Sequence, residues 1–351
     1  MRLIDAVHEN RLLSRWAALL PRAAAAIGSI HEADAEFVPL DEARWLAVKV
    51  DTVAEEIAAG LYSDPATAGR IAAISVLSDL AAVGAEPIGL LLSVVLPRGD
   101  VEAVQSRVAA GVRAACEAAE IGILGGDTSV GPALAITVAG FGLVPAGQAL
   151  RRLGLRAGHA VFVAGGVGLG AALAAARLLG VHGFTENDYA PPVRIAVGRA
   201  LRGIASAAMD TSDGLVATLD QLARLNGVGI RVETPLSGLL HPKVEALRAA
   251  ARLPAFAFVA SCHGEFELVF AVPPDRLDRL DGVRAALGAE PLRIGTAYAG
   301  EGLCIGDTPI DGARIRNLLD DVGGDSLAYV TALISMSPPE SYDMGERDLR
   351  R

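Results

Sequence analysis

The sequence predicts an α/β (α+β) protein of two domains followed by a short tail. Three observations predict it. Stretches with helical spacing of apolar residues alternate with short apolar runs of strand length, and most connections are too short for anything but compact packing. Hydrophobic residues make up 52% of the chain, with 39 glycines and only 4% aromatics, a mixture that suits alanine-rich helices and glycine-rich phosphate turns. The 351 residues suffice for two cores, and a polar interval at 145–158, carrying Arg151, Arg152 and Arg156, separates two runs of elements.

The first thirty residues read as helical, with Leu12, Leu13, Trp16, Leu19 and Leu20 on one side and Pro21 as an interruption. A strand is expected at 45–50. A helix follows at 66–83, where Ile71, Ile74, Leu77 and Leu80 keep helical spacing and Gly84 stops it. Then come a strand at 88–96, a helix at 101–119, a short strand at 121–125 and a strand at 134–144. Beyond the interval, strands are expected at 160–164, 204–209, 228–233, 266–272 and 292–297. Helices are expected at 170–180, 193–202, 213–226, 240–251 and 274–288. The domains are therefore placed at 1–150 and 151–320, with a C-terminal tail at 321–351, mobile from about Ser335, where Pro338, Pro339 and a run of charges follow.

The formal net charge of −10 and the lack of a basic patch exclude nucleic acid as an expected partner. Cys116, Cys262 and Cys304 are far apart, without Cys-x-x-Cys spacing, and fit reduced thiols of a cytoplasmic protein. Asp5, Glu9 and Arg11 break the first segment before a signal-peptide core can form. The apolar stretch at 160–181 has the length of a membrane span, but its glycines and Arg177 suit strand, turn and helix instead, so no membrane partner is expected.

Aspartates end several apolar runs: Asp51 after 45–50, Asp79 in Leu77-Ser78-Asp79-Leu80, Asp127 in Gly125-Gly126-Asp127-Thr128, and Asp210 and Asp213 in Asp210-Thr211-Ser212-Asp213-Gly214. A carboxylate is costly to bury alone, so such positions are aimed at a cation or a donor. Any single one could equally cap a helix or turn. Several converging carboxylates need a divalent ion, and hard oxygen ligands suit magnesium. Together they argue for a magnesium–nucleotide site. The usual phosphate cradles are missing. The only lysines are Lys49 and Lys243, and neither sits in a P-loop. No acidic residue closes a strand about twenty residues after the glycine run at 165–170, as ribose recognition would require. The six histidines are scattered singly, which argues against zinc.

The same phrases resemble the superfamily of thiamine-monophosphate kinase, aminoimidazole ribonucleotide synthetase, selenophosphate synthetase and the hydrogenase-maturation dehydratase, with thiamine-monophosphate kinase nearest. Its Asn-Leu-Ser-Asp-Leu-Ala-Ala-Met-Gly-Ala is matched by residues 76–85, its Gly-Gly-Asp-Thr-Thr-Arg-Gly-Pro by 125–132, its Ala-Leu-x-Arg-x-Gly by 149–154 and its Asp-Leu-Ser-Asp-Gly-Leu by 210–215. The resemblance implies a homodimer whose N-terminal sheets pair into a barrel-like core, with ATP in a cleft beside the dimer interface. By position it implies that Asp34, Asp51, Asp79, Asp127, Asp210 and Asp213 hold Mg2+ on the ATP phosphates, with Asp210 and Asp213 as catalytic residues. It places Gly126, Asp127, Arg152 and Ser212 against the nucleotide. The implied activity is ATP-dependent phosphorylation of thiamine phosphate. The alternatives are a related synthetase or dehydratase acting on another small molecule, and a non-catalytic ATP-binding homologue.

The departures lie mostly in the acceptor half. Lys49-Val50-Asp51 stands where the kinases have Ser-Thr-Asp, and no histidine follows in 55–60. Val130 replaces an arginine. The Gly-Gly-Glu-Asp-Tyr-Glu-Leu phrase has become Cys262-His263-Gly264-Glu265-Phe266-Glu267-Leu268, which leaves Glu265 as the substrate-facing candidate only if the loop shifts by one residue. Without that shift, thiamine phosphate is expected to be a poor acceptor while Mg-ATP still binds.

Overall fold

The computed structural model describes residues 3–338. A short 3-10 turn leads into α1 (His8–Leu19), then β1 (Glu36–Pro39), β2 (Arg44–Thr52), α2 (Ala54–Ala58), α3 (Pro65–Ala82), β3 (Glu86–Pro97), α4 (Val101–Ala118), β4 (Ile123–Gly131) and β5 (Ala135–Pro145). These five strands form one sheet in the order β1-β2-β5-β3-β4, mixed in direction because β3 and β4 run parallel. The chain continues through β6 (Ala160–Val163), α5 (Leu169–Leu179), α6 (Ile195–Leu201), β7 (Ala207–Asp210), α7 (Leu215–Asn226), β8 (Gly229–Val232), α8 (Pro242–Ala251), α9 (Ala255–Val259), β9 (Leu268–Val272), α10 (Asp281–Leu287), β10 (Leu292–Tyr298), β11 (Gly302–Ile305), β12 (Thr308–Ile310), α11 (Gly312–Asp321) and α12 (Ser326–Ser335). The second sheet runs β12-β11-β8-β10-β6-β9-β7. Every strand of the first sheet comes from before residue 150 and every strand of the second from after it.

Helix α3 organises the interior. Asp64 caps it by accepting the Ala66 N–H, and Pro65 occupies the first turn, where its missing N–H costs nothing. Its small and aliphatic side chains are buried on all sides from Ile71 to Ala82, so it packs against α4, the first sheet and α6 at once. Two glycines allow that approach. A Cβ at Gly111 of α4 would stand 1.9 Å from the Ala66 carbonyl oxygen, and one at Gly198 of α6 would stand 1.9 Å from that of Ala81. The second contact ties the two halves of the chain together.

Three differences from the sequence reading bear on the site. The strand expected at 121–125 extends to Gly131 and so carries Gly126 and Asp127. Helices α11 and α12 close the fold, and α12 lies inside the stretch assigned to the tail, with Tyr329 and Leu333 buried. Residues beyond 338, including most of the expected mobile tail, lie outside the described residues. Among the described residues no helix is long and apolar enough to cross a membrane.

Candidate functional site

Three carboxylates meet where the two halves of the chain touch. Asp34 comes from the bend before β1, Asp79 from the last turn of α3 and Asp210 from the end of β7. All three are buried, and one oxygen of each lies within 4.8 Å of the others. Two cations answer them. Arg152, in the linker, donates to Asp34 Oδ1 through Nε at 3.1 Å and Nη2 at 2.7 Å. Lys49 Nζ, from β2, lies 3.1 Å from Asp79 Oδ2. Ser212 adds a hydroxyl donated to Asp210 Oδ1 at 2.9 Å. Asp34 Oδ2 and Asp210 Oδ2 remain buried without a hydrogen-bond partner.

The electrostatics follow from this crowding. Burial, then the charge of Asp34, pushes Asp210 up to about 6. Burial raises Asp79 well above the usual carboxylate range, only partly opposed by Lys49. Burial works against the Lys49 ammonium too, but Asp79, Asp51, Asp210 and Asp34 outweigh it and hold the lysine protonated more firmly than usual. The two partners thus pull opposite ways, and the short Nζ–Oδ2 distance favours the ion pair. Two buried, unpartnered carboxylate oxygens on a hard-oxygen cluster fit a magnesium ion, which Asp34, Asp79 and Asp210 would hold.

Asp51 lies at the edge of this group. In β2 it occupies the same face as Lys49, two residues on, and its charge acts on both Lys49 and Asp79. Asp213 points elsewhere: its carboxylate is ion-paired with Arg316 of α11, which also holds Glu9 of α1. Asp127 and Gly126 do not join the cluster within one chain. Gly126 shares a cross-strand row with Leu92, Val138 and Asp51, three strands from Asp51 and so about 14 Å away at ~4.8 Å per strand. Asp127 is in register with Ser93, Thr137 and Thr52, in the next row, and therefore lies on the opposite face of the sheet from Lys49. Within one chain the structure thus brings three of the expected aspartates together, with Asp51 beside them.

Glu265 also departs from expectation. Its carboxylate is buried and accepts the N–H of Gly168 at 2.6 Å and of Ala171 at 3.3 Å, capping the start of α5. The burial outweighs these bonds and pushes Glu265 up to about 8. A side chain so committed is not turned toward an acceptor. The neighbouring loop is shaped by Phe266, which holds a positive φ of 57°, uncommon for an aromatic residue. A Cβ at Gly264 would stand 2.6 Å from the Phe266 ring and 3.2 Å from Tyr189 Oη. A side chain there would have to displace the Phe266 ring. Sequence reasoning missed Arg316, whose only signal was its place in an amphipathic stretch after residue 312. It also missed Glu56, whose buried Oε2 has no hydrogen-bond partner and whose charge faces Asp51 and Asp213.

Residues 32–144 match the family model described as AIR synthase related protein, N-terminal domain. The thiamine-monophosphate kinase of Salmonella typhimurium is 33% identical over 279 residues, covering 76% of this chain and 83% of that protein. The chain belongs to the thiamine-monophosphate kinase family. A crystal structure from Thermus thermophilus is 31% identical and superposes with a TM-score of 0.73, covering 86% of this chain and 98% of the other. The structure of AaThiL complexed with AMPPCP and TMP shares the fold at 23% identity and a TM-score of 0.71, with 89% and 97% covered. As a member of this kinase family the protein is an ATP-dependent phosphotransferase.

Proposed function

We propose that this protein transfers a phosphoryl group from Mg-ATP to thiamine phosphate and works as a homodimer. The observation that carries the reading is the buried trio Asp34, Asp79 and Asp210 with two carboxylate oxygens left unpartnered, in a chain one-third identical to a thiamine-monophosphate kinase. In this reading the trio, with Asp51, holds magnesium. Bound magnesium would offset charge on the phosphate oxygens during transfer. Arg152 orients Asp34 and extends toward the nucleotide from the linker. Ser212 orients Asp210, and Gly126 offers its backbone N–H to phosphate. Asp213 joins only after Arg316 releases it.

The dimer is supported by the outer face of the first sheet. Val50, Leu91, Leu124 and Val130 are exposed there and on the edge strand β4, an apolar surface that wants a cover. Asp127 lies on this same outer face, so in this reading it reaches magnesium only through the dimer, contributed to the partner's site. The likeness to a thiamine-monophosphate kinase outweighs the expectation that an unshifted Glu265 makes thiamine phosphate a poor acceptor. The altered loop at Gly264 and Phe266 favours a second reading, in which the same ATP site serves another small-molecule acceptor.

Calorimetry tests the nucleotide half. ATP should bind with Mg2+ and hardly at all in chelator, since the two cations at the cluster, Lys49 and Arg152, are already held by Asp79 and Asp34. Equal affinity with and without Mg2+ would defeat the reading.

A further inference from the structure

We propose that Lys49 is a resident cation of the acidic cluster, standing in for one divalent ion, so that ATP is loaded with one ion fewer than the same carboxylates would take without the lysine. This deepens the Mg-ATP reading above and rests on it.

The geometry is specific. Lys49 sits mid-strand in β2, on the face turned to α3. Across the sheet from it, α3 comes down onto Gly140, where a Cβ would stand 2.2 Å from Val76 Cγ1. Lys49 thus lies beside α3, and its ammonium meets Asp79, whose side chain is only 6% exposed. Among the described residues the two cations divide the cluster between them, Arg152 on Asp34 and Lys49 on Asp79. The fully buried oxygens left without a partner in the cluster are Asp34 Oδ2 and Asp210 Oδ2. Formally, four carboxylates (Asp34, Asp51, Asp79, Asp210) face two fixed positive charges. The remaining double negative charge equals the charge of one divalent ion, and the buried oxygens without a partner lie on carboxylates other than the one Lys49 holds. An ammonium has donors only and cannot share Asp79 with a metal at the same oxygen. The chain's other lysine, Lys243, pairs with Asp188 far along the sequence, outside the cluster.

The test counts ions rather than turnover. The full chain, Lys49→Met and Lys49→Ser would be loaded with Mn2+ and a non-hydrolysable ATP analogue, and bound Mn2+ read by equilibrium dialysis and electron paramagnetic resonance. Methionine keeps the stem and removes the charge, whereas serine also offers an oxygen. Both variants should bind one more Mn2+ per chain than the parent at saturation. In EDTA both should melt below the parent, and Mn2+ should raise their melting temperature more than it raises the parent's. Variants that fold only when Mn2+ is present support the proposal as well, the ion replacing the missing charge. The same Mn2+ count in all three chains, with analogue still bound, overturns the proposal and leaves the Mg-ATP reading standing. A parent chain that binds no analogue in Mn2+ overturns both.

Discussion

Replacing Arg152 by methionine should destabilise the metal-free protein by about 3 kcal/mol. The guanidinium holds Asp34 by two bonds, at 2.7 and 3.1 Å, and the Asp34 side chain is only 1% exposed. Removing one member of a buried pair typically costs ~3–5 kcal/mol, because the other charge is left without its partner. Arg152 itself is 16% exposed, so water can follow the lost side chain and the lower end of that range applies. Asp79 and Asp210 lie within 4.8 Å and act in the other direction, adding repulsion to the stranded Asp34. Urea denaturation in EDTA and again in Mg2+ measures the effect. The deficit should shrink in Mg2+, since an ion on Asp34 supplies the missing charge. A loss below about 1 kcal/mol in EDTA, or one that Mg2+ leaves unchanged, would refute the argued role of the pair.

Three further outcomes are expected. Asp127→Ala and Asp79→Ala should each be nearly inactive alone. Mixed and reassembled, they should recover up to about a quarter of parental activity through hybrid dimers with one intact site; no recovery would place Asp127 in its own chain's site. Glu265→Gln should lose roughly 1–3 kcal/mol of stability, because the amide keeps one acceptor oxygen but sets an NH2 group, which cannot accept, against the other of the Gly168 and Ala171 N–H groups. Its KM for thiamine phosphate should stay within about twofold, since the carboxylate is a helix cap. A tenfold rise in KM without loss of stability would return Glu265 to the acceptor. The metal-free protein should become less stable as pH rises from 5 to 8. Asp210 and Glu265 have folded-state values raised to about 6 and about 8, above their unfolded values of ~3.9 and ~4.3. Their protonation therefore stabilises fully below pH ~4 and is lost as pH rises through the folded values. Chemical denaturation across this range should show a fall of a few kcal/mol, and a flat or rising profile would contradict it.

The elements with strong periodicity were legible from residue spacing. Helix α3 begins and ends within a residue of expectation because Asp64-Pro65 opens it and Gly84 closes it. The phrases around Asp79 and Asp210 located two of the three clustered carboxylates, and the linker phrase located Arg152. What the sequence could not give was direction. The phrase around Asp127 looks like the others, yet strand register turns its side chain to the opposite face. Glu265 caps a helix nearly a hundred residues earlier in the chain, a contact that no local pattern announces. Lys49 was visible as a replacement of hydroxyl ligands, but its ion pair with Asp79 depends on how β2 lies against α3. Helices α11 and α12 were missed because β11 and β12 are short and the segment after 312 alternates charge with apolar residues.

The most direct test of the proposed activity is steady-state formation of thiamine diphosphate from ATP and thiamine phosphate, with Mg2+ and in EDTA. The account predicts turnover within the usual enzyme range of about 1–1000 per second in Mg2+, and none in EDTA. Clear Mg-ATP binding without any thiamine diphosphate would contradict thiamine phosphate as the acceptor and move the ATP site to another small molecule.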